Sequence, residues 1–62
     1  MFPTPQTIIF TWGDFPHEVR VTLDVAGNIE EIEPLGWEPT MAAWDCITEK
    51  AEEIAWEARG RL

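Results

Sequence analysis

Cysteine and histidine occur once each in this chain of 62 residues, and tyrosine not at all. A lone Cys46 closes no internal disulfide. Together with His17 it is a poor basis for a structural zinc site, which normally takes four protein ligands. The same two residues are the only pair suited to nucleophilic catalysis, and they stand in different parts of the chain. Glu49 and Glu53 near Cys46 disfavour a thiolate. There is no glycine-rich phosphate loop, so neither catalysis nor a cofactor is expected.

Basic residues are also scarce. Four Lys and Arg stand against twelve Asp and Glu, for a formal net charge of −8. Direct binding to nucleic acid or to an anionic membrane is therefore not expected, since either needs cations to neutralise phosphate. The charge is compatible with a basic protein partner, including one that itself binds nucleic acid, and keeping the chain in solution is the simpler reading. No apolar run approaches the length of a membrane span. Ile8-Ile9-Phe10 is too short for the apolar part of a signal peptide. A free thiol without a cysteine framework fits a reducing cytoplasm.

What the chain does have is aromatic bulk, four Trp and three Phe. It is a single small domain. A chain this short buries only about 60% of the surface it exposes when unfolded. Without a disulfide or a metal, dense packing or oligomerisation must supply its stability.

The periodicity predicts an α+β fold: a three-stranded antiparallel meander over 6–33, then one amphipathic helix over 39–59 on one sheet face. Residues 1–5, with two prolines, read as a loose arm or one lying along an edge. Ile8, Phe10 and Trp12 alternate with Thr7, Ile9 and Thr11, and β-branched and aromatic residues dominate. Gly13 to Pro16 is a loop. Val19, Val21, Leu23 and Val25 alternate strictly with Glu18, Arg20, Thr22 and Asp24, so one face meets the core and the other water. Ala26-Gly27-Asn28 is a hairpin turn. Ile29 and Ile32 are three apart, which either a β-bulge or a strand of only a few residues would explain. Pro34 is expected to end it.

The helix has either Glu38 or Thr40 as its N-cap, with Pro39 at the first helical position in the former case. Gly60 is its expected terminator, and Arg59 and Arg61 suit the carbonyl end of the helix dipole. Met41, Trp44, Ile47, Ala51, Ile54, Ala55 and Ala58 are spaced to form one apolar face. Phe10, Val19, Val21, Leu23 and Ile29 are their expected partners.

Trp56 breaks that pattern. At 100° per residue it lies roughly 120° from Trp44, beside Glu49 and Glu52, either as a rim residue over the sheet edge or as an exposed aromatic. Glu49, Glu53 and Glu57 are like charges four apart, which weakens a helix slightly. This outer face is the foremost candidate for binding a partner. Trp37, Phe15 and Ile9 are further candidate contacts, although Trp37 and Phe15 would serve equally to close the ends of the core. Glu30, Glu31 and Glu33 form an acidic cluster whose spacing matches no calcium loop, and a solvated charge run is the simpler reading.

The expected function is that of a small, acidic, non-catalytic accessory or adaptor protein of the cytoplasm, acting through protein binding and self-association, as a homodimer in the simplest case. Two alternatives accompany it. Spaced helix carboxylates would let an inhibitor imitate nucleic acid and occupy a basic groove. The chain would also serve as a structural subunit of a larger assembly, such as a virus-derived one.

Overall fold

The computed structural model describes residues 1–13 and 17–60. Three strands are followed by one helix: β1 (Gln6–Trp12), β2 (His17–Leu23), β3 (Ile29–Leu35) and α1 (Met41–Arg59). The sheet is antiparallel, with β2 in the middle. This is the expected βββα architecture. A small sheet with one apolar face needs a cover, and one amphipathic helix provides it.

Register makes the two faces of the sheet explicit. Ile8 lies opposite Val21 and Val21 opposite Ile32; Phe10 lies opposite Val19 and Val19 opposite Pro34. These residues face α1. The other face carries Thr7, Thr22 and Glu31 in one row and Ile9, Arg20 and Glu33 in the next. A register shift between Thr22 and Leu23 places Ile29 opposite Leu23 and leaves Glu30 without a partner. That bulge lets Ile29 and Ile32 both pack on the core despite their spacing.

Two strand boundaries differ from the sequence expectation. β3 runs through Pro34 to Leu35. An edge strand tolerates proline because one side of its backbone has no partner to satisfy. β2 stops at Leu23. Asp24 turns the chain there, its Oδ1 accepting from the backbone N–H of Ala26 at 3.0 Å and of Asn28 at 2.9 Å. Val25, expected inside, is therefore on the turn and 37% exposed. The N-terminal arm is anchored to the same turn. Phe2 N–H donates to the Val25 carbonyl at 2.7 Å, and the Phe2 ring packs on the core.

Thr40, not Glu38, caps the helix. Its backbone is extended and its Oγ1 accepts from Ala43 N–H at 3.2 Å. Pro39 thus precedes the cap, and the helix begins at Met41. Thr40→Ala is expected to lower stability by about 1 kcal/mol, the usual worth of such a cap. Glu38→Ala should cost nothing comparable. Urea titrations of the two variants compare them directly.

The face that α1 presents is narrower than expected. Ala43, Ile47, Ala51, Ala55 and Ala58 are buried, Ile54 is half-buried, and Met41 and Trp44 are 87% and 37% exposed. Alanine at most contact positions brings the helix close to the sheet, and a bulky indole on the flank is left at the rim. Among the described residues the fully buried large side chains are Leu23, Ile47, Val19 and Val21. Phe2, Ile8, Phe10, Trp12, Ile29, Ile32 and Trp37 surround them, each partly exposed.

Candidate functional site

The position of Trp56 follows from helix geometry. It comes nine residues after Ile47, roughly half a turn round the helix at 100° per residue. Ile47 is fully buried, so Trp56 must face outward, and it is 73% exposed. Arg59, one turn further along, sets its guanidinium carbon 5.7 Å from the indole centroid. An exposed cation–π contact of this kind is worth about 0.5–1 kcal/mol, enough to orient the ring but not to bury it. Ile29, Glu52, Ala55, Trp56 and Arg59 line an open groove of about 320 Å³ between α1 and the start of β3. The spacing of Trp56 and Arg59 is the signal that would have added Arg59 to the candidate set.

Glu49, Glu52, Glu53 and Glu57 are all exposed. Among the described residues none of them has a cation within ion-pair distance. Glu49 and Glu53 line a second groove, beside Thr11, Trp12, Gly13, Cys46 and Lys50, on the β1 side of the helix. The helix acids thus flank both sides of α1, and Trp56 stands near their C-terminal end. Exposed Trp44 is twelve residues away, about 18 Å along the axis, and does not join this patch.

The remaining candidates lie elsewhere. Trp37 is half-buried and closes one end of the core. Its ring stacks on Trp12, with centroids 5.9 Å apart, and on His17 at 4.3 Å. Its Nε1–H donates to the Glu18 carbonyl at 2.9 Å, so its polar atom is already engaged. Phe15 lies outside the described residues, as does Arg61. Ile9 is 54% exposed on the far side of the sheet from the helix. It cannot share a surface with Trp56.

Nor does the acidic segment of β3 form one cluster. Glu30 is the unpartnered bulge residue, while Glu31 and Glu33 lie on the open sheet face around Arg20. Arg20 Nη2 donates to Glu33 at 2.6 and 2.7 Å, and Glu31 stands 4.0 Å away. These side chains are 39–60% exposed, so the pair is worth at most about 1 kcal/mol. Its main effect is to neutralise part of that face. Among the described residues no three His, Cys, Asp or Glu side chains converge as metal ligands would. Within the same residues, no helix is long and apolar enough to cross a membrane.

The resulting geometry is an exposed indole with Arg59 beside it, near the C-terminal end of a helix whose acids are exposed, and with a shallow groove rather than an enclosing pocket. The chain matches no protein-family model, no curated protein and no solved structure.

Proposed function

We propose that the protein is a non-catalytic accessory or adaptor of the cytoplasm that binds a basic protein partner through the outer face of α1 and also self-associates. The observation that carries this reading is Trp56, which is 73% exposed and shares its groove with Glu52 and Arg59, on a helix whose other acids, Glu49, Glu53 and Glu57, are exposed as well. Leaving so large an apolar side chain in water forgoes about 1.5–3 kcal/mol of burial. Tryptophan in such a setting is the residue type on which binding energy concentrates. The carboxylates around it would steer a cationic surface and fix its orientation.

Charge and indole make separable contributions. Trp56→Ala should weaken partner binding at every salt concentration. Glu49→Lys, Glu53→Lys and Glu57→Lys together should slow association and remove its salt dependence. Affinity capture with the three baits, repeated at low and high salt, reads both effects. Equal recovery by all three baits would end this assignment of the site.

The row of unpaired helix carboxylates also supports the second reading, a nucleic-acid mimic. That reading requires nucleic acid to compete with the chain for the captured partner. Co-occupancy of the partner by both would exclude it.

A further inference from the structure

The two edges of the sheet are not alike. β3 carries Glu30, Glu31, Glu33 and Pro34, and charges and proline are what normally protect an edge from pairing with another strand. β1, with the sequence Gln-Thr-Ile-Ile-Phe-Thr-Trp, has neither a charge nor a proline. It is paired on one side only. Among the described residues no other strand pairs with its free side. The N-terminal arm turns the other way, towards the β2–β3 turn, where Phe2 bonds to Val25. The helix packs mainly over β2 and β3, which leaves Ile8, Phe10 and Trp12 only partly covered.

We infer that two copies of the chain pair antiparallel through β1, about a two-fold axis at Ile9, so that two three-stranded sheets become one of six strands. This deepens the self-association part of the function proposed above and rests on that part alone. A second copy is the occupant because the strand complements itself. With the axis at Ile9, the midpoint of Gln6–Trp12, Ile9 meets Ile9 of the second copy. Thr7 then meets Thr11, and Ile8 meets Phe10. Each is a favourable cross-strand pair, and none sets like charges opposite each other. For a chain of net charge −8, β1 is the one strand along which two copies can approach without aligning carboxylates. Arg20, on the same face, is already paired with Glu33 and calls for no charged partner.

Joining two β1 strands makes the half-covered Ile8, Phe10 and Trp12 of both copies one apolar band between the two helices. A seven-residue edge is only about 24 Å long. Strand pairing alone therefore falls short of the roughly 800 Å² per partner of a standard interface, and that apolar band supplies the remainder. The association belongs to the concentration-dependent class.

Sedimentation velocity from micromolar to millimolar protein, at low and high salt, tests the proposal. The expected result is a monomer–dimer equilibrium that tightens with salt, because screening relieves repulsion between two acidic copies. Ile9→Lys and Ile9→Glu each place like charges on the axis and should weaken the dimer roughly fivefold. Ile9 is 54% exposed, so both variants should keep the wild-type far-UV circular dichroism. Mixed in equal amounts, the two variants should form a heterodimer. A monomer at every concentration would overturn the inference. So would undiminished dimerisation of Ile9→Lys, or a mixture that stays monomeric. Trp56→Ala should leave the dimer intact. Partner capture responds to Trp56→Ala and not to Ile9→Lys, so failure of the dimer and failure of the partner site are read separately.

Discussion

Replacing Ile47 by alanine should remove most of the stability of this protein. Among the described residues Ile47 is one of four large side chains that are fully buried, the others being Leu23, Val19 and Val21. It is also the only large fully buried side chain that the helix contributes; the other buried helix positions are all alanine. A buried Ile→Ala change costs about 2–5 kcal/mol, through lost transfer energy and the cavity left behind. A core of this size supplies no more than about 3–5 kcal/mol in total. The two magnitudes are comparable, so the variant is expected to be largely unfolded or to melt without a cooperative transition. Urea titration followed by tryptophan fluorescence, at one fixed protein concentration, measures it. The fixed concentration matters because self-association adds apparent stability by mass action. Trp44→Ala is the control. It removes a larger side chain from the same helix, but one 37% exposed at the rim, and should cost much less. A loss below about 1 kcal/mol for Ile47→Ala would contradict the packing of α1 on the sheet.

The second large effect is expected at Gly27. Its φ is +87°, a conformation that costs an L-residue about 1–2 kcal/mol. Space is short as well. A Cβ at Gly27 would come 2.5 Å from Cγ and 3.0 Å from Cδ of Arg59, and 3.4 Å from the Phe2 ring. The Arg59 side chain lies over this turn, and its guanidinium donates to Asn28 Oδ1 at 3.2 Å. Gly27→Ala would push Arg59 off the turn and break that contact. Gly36 separates the two causes, because its φ is +82° but nothing lies within 4 Å of its Cβ position. Gly36→Ala should therefore show the backbone cost alone, and Gly27→Ala should exceed it by about 1 kcal/mol, the worth of one hydrogen bond and its packing. In an Arg59→Ala background that excess should shrink towards zero. Thermal melts of the four variants suffice, since 1 kcal/mol shifts the midpoint by about 4–8 °C for a domain near this size.

Gly27 also ties the fold to the candidate site. Arg59 covers the turn with its stem and faces Trp56 with its guanidinium. Moving it off Gly27 would change the groove beside Trp56, so Gly27→Ala couples stability to the shape of the proposed binding face.

The elements were legible in the sequence to different degrees. Strict alternation over Val19, Val21 and Leu23 specified β2 and its buried face, because a strand turns successive side chains to opposite sides. The three-residue gap between Ile29 and Ile32 was compatible with either a bulge or a very short strand, and the bulge is what is present. The long run of helix formers ending at Gly60 specified α1. Trp56 stood out as the aromatic that a single apolar stripe could not accommodate. Val25 continued the alternation of β2, yet Asp24 had already turned the chain, because its side chain supplies the acceptor that a further ladder pairing would have used.

The sequence by itself determined the order of the elements, the inward face of each strand, the acidic outer face of the helix and the departure of Trp56 from its apolar stripe. These depend on local periodicity and on charge, which a chain carries wherever it is placed. Tertiary structure alone decided which row of the helix touches the sheet. Bulk favoured Met41 and Trp44, but close approach favoured Ala43, Ile47, Ala51 and Ala55, and contact distance prevailed. Tertiary structure also stacked Trp37 on Trp12 and His17, laid Arg59 over Gly27, and left β1 with a free edge while β3 kept its charges and proline. Each of these depends on residues far apart in the chain, and pairwise distance is what a one-dimensional pattern does not contain.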